Sequence, residues 1–313
     1  MKGAIAMKQK DGFSHKLGSW LDRDNVAGYV FILPFIIGLI VFTAIPFFTS
    51  LYLAFTNYNI LSAPKWVGLD NFKKMFLEDD LFWTSFKVTF KFALIQVPIK
   101  LTVALLVALV LSRSTRLTSF YRAAFYIPSL MGGSVAIALL WKQLFSPRGV
   151  LNQVLGFFGL PDSTAWLGNP KTALGTLIAL GVWQFGSSML IFLAAIKNIP
   201  QSYHEAAIVD GAGPVRRFFS ITLPMLTPII FFNLINQVIG AFQAFNSSYL
   251  ITGGKPLNTT LYYGVHLYNK AFNQFEMGYG SAMAWFMLLI IAFFTALIFR
   301  SSSAWVYYES EGR

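Results

Sequence analysis

Six apolar segments, at roughly 28 to 56, 86 to 111, 121 to 145, 173 to 196, 225 to 250 and 280 to 299, are each long enough to cross a ~30 Å hydrocarbon core as a helix. The bilayer is therefore the expected solvent. Continuous apolar runs favour helices over a barrel, whose strands alternate lipid-facing and lumen-facing residues. Composition agrees, since 56% of the 313 residues are hydrophobic and 12% are charged, against ~25% charged in an ordinary soluble protein. The expected fold is an all-α integral membrane protein with six transmembrane helices. Pro34 and Pro46 in the long first segment predict a kink or a short interfacial helix before the span.

The net charge of +11 forms no contiguous patch suited to nucleic acid and is distributed instead by side. With the N-terminus inside, thirteen of the 24 Lys and Arg fall on the inner face, among them Arg113, Arg116, Arg122, Lys197, Arg216 and Arg217, and eight fall on the outer. That excess predicts both termini in the cytoplasm. Residues 1 to 25 are polar and lack the apolar core of a signal peptide, so 1–27 reads as a cytoplasmic tail ahead of a 28–300 helical domain, with 301–313 as a second tail. Gly- and Pro-rich stretches at 146–170 and 251–258 read as outer loops, as does 57–85, whose Glu78-Asp79-Asp80 run reads as a solvated turn. Without cysteine there is no thiolate chemistry, and His15, His204 and His266 are too far apart in sequence to announce a metal site.

One hydrophilic stretch, about 200–224, is richer than a connector. Residues 201 to 210 suit a short helix with Ser202 as N-cap and Glu205 three positions on, the capping-box spacing. Gly211 and Gly213 permit a tight turn, Pro214 suits the first turn of a second helix, and Pro224 marks where that helix meets the membrane.

The string Glu205-Ala206-Ala207, with Asp210-Gly211-Ala212, Phe218, Ile221 and Leu223-Pro224, resembles the EAA loop of permease subunits in binding-protein-dependent ATP-binding-cassette importers. The carbohydrate family typified by the maltose and glycerol-phosphate permeases is the nearest in pattern. Leu33-Pro34, Phe55-Thr56-Asn57 and the Val67 to Phe72 run are similar to that family's opening. Phe120-Tyr121-Arg122, Pro128, Trp141 and Gly149 resemble its third span. Gly253-Gly254, Pro256, Asn258 to Leu261 and Gly278 to Ala282 resemble its last loop and span. Gly213-Pro214 departs from the pattern, which usually has a small residue and then a basic or polar one there. The resemblance implies a type I importer permease fold that pairs with a second homologous permease, two ATPase subunits and an extracytoplasmic solute-binding protein. It implies that Glu205, Ala206, Ala207, Asp210, Gly211, Ala212 and Phe218 couple the chain to the ATPases, which would hold ATP and Mg. This chain has no Gly-x-x-x-x-Gly-Lys-Ser/Thr loop, so no cofactor and no catalytic role are expected in it.

For the substrate path, Asn233, Asn236, Gln237, Gly240, Gln243 and Ser247 share an arc of about 120° if the fifth span is one helix. Amides facing lipid are costly, so this stripe faces either neighbouring helices or a wet cavity. Gln184, Ser187 and Ser188 repeat the pattern in the fourth span near Trp183. Amides beside aromatic faces suit a polyhydroxylated sugar. Lys87, Lys91 and Lys100 lie in the second span, Lys100 roughly 16 to 21 Å from either end, beyond the reach of snorkelling, and on the opposite side of the helix from Lys91. Helix-end carbonyls and an anionic substrate are both open as partners for Lys100. The expected cargo is a sugar, in particular an oligosaccharide, neutral or carrying carboxylates; a non-sugar solute such as glycerol phosphate is the alternative. All 13 Asp and Glu fall outside the six spans, which disfavours an ion-coupled secondary transporter. An intramembrane hydrolase is disfavoured because no Gly-x-Ser-x-Gly or His-Glu-x-x-His motif occurs.

Overall fold

A computed structural model describes residues 24–113 and 116–307. The parts of the expected tails at 1–23 and 308–313 lie outside the described residues. The first apolar segment is a continuous helical rod: α1 (Asp24–Leu39) passes through a wide π turn at Ile40–Ala44 into α2 (Ile45–Ala54). This replaces the expected interfacial helix. Pro46 has no N–H and its ring would clash with the carbonyl four residues back, and the wider turn, in which Ile45 N–H reaches Ile40 O, relieves that clash without stopping the helix.

A two-residue antiparallel pair, β1 (Thr56–Asn57) and β2 (Lys65–Trp66), leads to α3 (Asp70–Leu77) and then to α4 (Asp80–Ser112), the second span. It begins six residues earlier than the apolar pattern suggests, because Asp79 caps it and accepts from Leu81 N and Phe82 N at 3.1 Å each. The third segment is not one straight helix. Helix α5 (Thr118–Met131) and α6 (Val135–Leu144) meet at 104° across Gly132-Gly133-Ser134. Helix α7 (Val150–Phe157) interrupts what read as a plain loop. The fourth segment is also divided, into α8 (Ala173–Trp183) and α9 (Gly186–Asn198), bent by 41°.

Helix α10 (Gln201–Val209) is followed by α11 (Pro214–Arg217), a π turn at Phe218–Thr222 and α12 (Leu223–Phe242), the last three forming one 29-residue helix. After a π turn at Ser248–Thr252 come α13 (Tyr263–Tyr268), a further π turn at Asn269–Asn273, and α14 (Met277–Trp305). Among the described residues, four continuous helices are long and apolar enough to cross a membrane, or six spans if each bent pair is one crossing.

Helix α4 is the central post, in contact with α8, α9, α12 and α13. Its buried Ala93, Ala104 and Ala108 let neighbouring backbones approach closely, which is how helices associate where lipid removes the hydrophobic drive. The outer faces remain apolar and exposed, Phe31, Phe35 and Phe42 of the first rod among them, as expected of surface meant for lipid or another subunit. A tight helix crossing lies at Gly186. A β-carbon there would lie 2.7 Å from Tyr126 Cα and 2.9 Å from Ser129 Oγ. Gly186→Leu is expected to force α9 off α5 at a cost of about 1–3 kcal/mol, read as a lower unfolding midpoint of the purified protein in detergent; an unchanged midpoint would mean the crossing is looser than described.

The acidic run is only partly a solvated turn. The Asp79 side chain is only 8% exposed and accepts hydrogen bonds from Tyr279 Oη at 2.7 Å and from His266 Nε2 at 2.8 Å. Burial by itself raises the Asp79 pKa, but hydrogen bonds from Tyr279 and His266, helped by the charge of nearby Lys270, outweigh it and hold the carboxyl below its ordinary 3.8. Burial likewise depresses His266 below 6.5, more than Asp79 restores, so the imidazole is held neutral and donates to a carboxylate. Around this corner Lys74 pairs with Glu276 at 2.9 Å and Asn71 Nδ2 donates to Ala54 O and Thr56 O, both at 2.9 Å. Sequence spacing hid the cluster, since its members lie up to 200 residues apart.

Candidate functional site

Two features stand out, a hydrophilic loop and a polar cavity. The loop begins with α10, whose N-cap is Pro200 and not Ser202; Ser202 lies within the helix, and no side chain caps its start. Its end is sharply defined. Gly211 adopts φ +74°, Gly211 N donates to Ile208 O at 3.0 Å and Ala212 N to Ala207 O at 2.8 Å, the paired bonds of a Schellman stop. The left-handed conformation at Gly211 is what a β-carbon would penalise. Extended Gly213 then caps α11 with Pro214 in its first turn, so the departure from the family pattern at 213–214 leaves the turn intact. There is no boundary at Pro224. The second helix of the loop continues directly into the fifth span as a single rod.

Glu205, Ala206 and Asp210 are exposed, and Ala207, Ala212 and Phe218 are half-buried. Ala206, Ala207 and Asp210 line an open pocket of about 450 Å³ beside the loop, together with Ile221, Pro224 and Tyr307. The loop also presents apolar side chains that sequence reasoning missed: Val209 is 87% exposed, Val215 72%, Phe219 60% and Ile208 55%. Their signal was the absence of any apolar partner on a hydrophilic loop.

The cavity, about 500 Å³ and partly open to the outside of the subunit, lies where three helix breaks converge. The break between α5 and α6 contributes Gly132 and Gly133, that between α8 and α9 contributes Gln184, and the end of α12 contributes Gln243, Asn246 and Ser247. Gln184 Nε2 donates to Gly132 O at 3.3 Å and Asn246 Nδ2 to Gly133 O at 3.5 Å, so side chains stand in for the helix bonds lost at the bend. From α4 the cavity receives Phe92, Gln96 and Lys100, spaced four residues apart on one face. From α12 it receives Gln237 and Gly240, with Gln237 Nε2 donating to Ser188 Oγ at 3.1 Å.

The candidate path residues thus separate. Gln184, Gln237, Gly240, Gln243, Ser247 and Lys100 line the cavity together. Asn233 is buried and donates to Ile229 O of its own helix at 3.1 Å, and Asn236 is exposed and donates to Phe232 O at 2.7 Å. The backbone N of Ser187 is held by Ser129 Oγ at 3.2 Å, and Lys91 is exposed on the other side of α4. The expectation of a single helical stripe from 233 to 247 is corrected, because α12 ends at Phe242 and Gln243 is its C-cap. Gln243 and Ser247 reach the cavity because the chain turns there. Gln96 and Asn246 were missed, the first hidden in an apolar run and the second beyond the helix end.

Breaks in apolar helices around a polar cavity, joined to a loop outside the spans, define a multi-pass membrane protein of the permease class. The model of the family described as binding-protein-dependent transport system inner membrane component matches residues 100–306, and the chain belongs to that family. It is 53% identical over 311 residues to a probable ABC transporter permease protein, YesP, of Bacillus subtilis, covering 99% of this chain and 98% of that one. It is 33% identical to a probable starch degradation products transport system permease protein, AmyD, of Thermoanaerobacterium thermosulfurigenes, covering 86% and 91%. The fold is shared, with a TM-score of 0.78 at 22% identity and coverage of 94% and 97%, with a chain of a bacterial alginate ABC transporter solved in complex with an alginate pentasaccharide-bound periplasmic protein. The EAA motif is characteristic of the family, and the chain is a permease subunit of an ABC transporter.

Proposed function

We propose that this chain forms one half of an oligosaccharide import channel and works by ATP-driven alternating access. In this reading it pairs with a homologous permease, receives sugar from an extracytoplasmic binding protein and is driven by two ATPase subunits, which supply ATP and Mg. The loop end and both termini lie in the cytoplasm, in keeping with the excess of basic residues on that side. The observation that carries the sugar reading is the cavity itself. Gln96, Gln184, Gln237, Gln243 and Asn246 offer paired donors and acceptors to a polyhydroxylated ligand, and Phe92 and Phe245 offer aromatic surface. Its volume suits a few sugar rings, within the usual ~300–1,000 Å³ of ligand sites. The starch-product relative and the alginate-bound neighbour support an oligosaccharide cargo. The bent segments give the mechanism a place to act, since short half-helices reorient more readily than continuous spans.

Gln237→Leu tests this reading. It removes a cavity amide and its bond to Ser188, and is expected to weaken sugar-dependent uptake by about tenfold, the effect of ~1–3 kcal/mol for an unmatched buried polar site, while the assembled complex and its basal ATP turnover persist. Asn236→Leu, outside the cavity, is expected to change uptake less. The reverse ranking would move the path away from this cavity.

A further inference from the structure

We infer that Lys100 makes the cavity selective for saccharides carrying a carboxylate. This rests on the sugar reading above and deepens it. Lys100 lies within α4, about 18 Å from its C-terminal end at ~1.5 Å per residue. It shares a cavity-lining face with Phe92 and Gln96, two turns and one turn earlier. Among the described residues its ammonium makes no ion pair and no hydrogen bond. No Asp or Glu lines the cavity, so the other polar side chains there are neutral amides and a hydroxyl.

An unpaired cation at membrane depth is expensive and is kept where it serves a ligand or a pathway. Of the helix-end carbonyls, the competing partners, Gly132 O and Gly133 O at the bend already accept from Gln184 and Asn246, and none of them receives a hydrogen bond from Lys100 among the described residues. Lys91 shows the contrast. It is exposed on the opposite side of the same helix, where headgroups or a partner subunit can reach it, whereas Lys100 faces inward. The ligand must therefore match one point cation surrounded by amides. A phosphate dianion is usually held by several donors, an arginine fork or a helix N-terminus. A single carboxylate on a polyhydroxylated ring fits better, with its hydroxyls on the glutamines. A lone lysine also holds its anion weakly enough for release, as a transport path requires.

The test uses vesicles containing the full complex with its binding protein. Uptake of a linear uronic-acid trisaccharide, its methyl ester and maltotriose is measured for wild type, Lys100→Gln and Lys100→Arg. The ratio of variant to wild-type uptake for each sugar cancels the binding protein's own preference. Lys100→Gln is expected to lower uptake of the acid about tenfold or more, the worth of one charged hydrogen bond, and to leave the neutral sugars within twofold. Lys100→Arg keeps most of the acid uptake. Equilibrium dialysis with the solubilised complex, which needs no binding protein, is expected to show the acid bound about tenfold tighter than its ester in wild type and equally in Lys100→Gln. Equal loss for all sugars, no loss for any, equal wild-type affinities, or a complex that no longer assembles would overturn the assignment. Uptake of maltotriose alone would also overturn it while leaving the sugar reading intact, and uptake of none of the three would sink both.

Discussion

Val209→Asp is expected to separate this subunit from its ATPase while leaving it inserted in the membrane. Val209 ends α10 almost wholly exposed, and Ile208, Val215 and Phe219 extend an apolar surface beside Glu205 and Asp210. Such a surface on an otherwise hydrophilic loop is the composition of an interface core, apolar at the centre with charges at the rim. A carboxylate placed at that centre must lose its water on docking without gaining a partner. The cost, about 2 kcal/mol or more, corresponds to assembly weakened at least ~30-fold. Co-purification of ATPase with tagged permease reads the effect directly. Glu205→Lys is expected to act in the same direction and more weakly, since a rim charge mainly alters encounter. Insertion is unaffected, because neither position belongs to an apolar span. Wild-type stoichiometry in Val209→Asp would assign the exposed surface to something other than the ATPase.

Asp79→Ala is the second large effect, this time on stability. The substitution removes the N-cap of α4, worth about 1 kcal/mol, and leaves Tyr279 Oη and His266 Nε2 without their acceptor. Each orphaned buried donor costs about 1–3 kcal/mol. A total of about 3 kcal/mol or more lowers the unfolding midpoint of the purified complex by roughly 10 °C. The same corner predicts a pH dependence of definite sign. Asp79 and His266 are both held below their ordinary values of 3.8 and 6.5, so at falling pH the unfolded chain takes up protons before the folded one does. The stability contributed by neutral His266 is complete above pH 6.5 and is lost as pH falls through 6.5 toward the folded value. The Asp79 contribution is lost only below 3.8. Midpoints measured from pH 8 to 5 should be flat and then decline, with the decline missing in His266→Gln; stability that rises toward pH 5 would contradict the assignment.

How far the sequence foretold this structure depended on the range of the interactions involved. Apolar runs of spanning length were legible because the bilayer leaves few alternatives to a helix. The loop was legible through Gly211 and Pro214, whose backbone requirements are local. The bends in the third and fourth segments were not, since Gly132-Gly133 and Gln184 are tolerable inside a straight helix and only their mutual contact selects the break. For the same reason a stripe drawn on an ideal helix from Asn233 to Ser247 mixed residues that line the cavity with Asn233 and Asn236, which bond back to their own helix. Asp79 was misread because burial depends on what packs over a residue, here Tyr279 and His266 from nearly 200 residues away. Lys100 was singled out by depth alone, and the fold added which way it faces.

The most direct test of the account is sugar uptake into vesicles reconstituted with this chain, its partner permease, the ATPase and the binding protein. ATP supplied on the loop side should drive accumulation of a labelled oligosaccharide that persists in the presence of a proton uncoupler, and Val209→Asp should abolish it. Accumulation driven by a proton or sodium gradient without ATP would contradict the account.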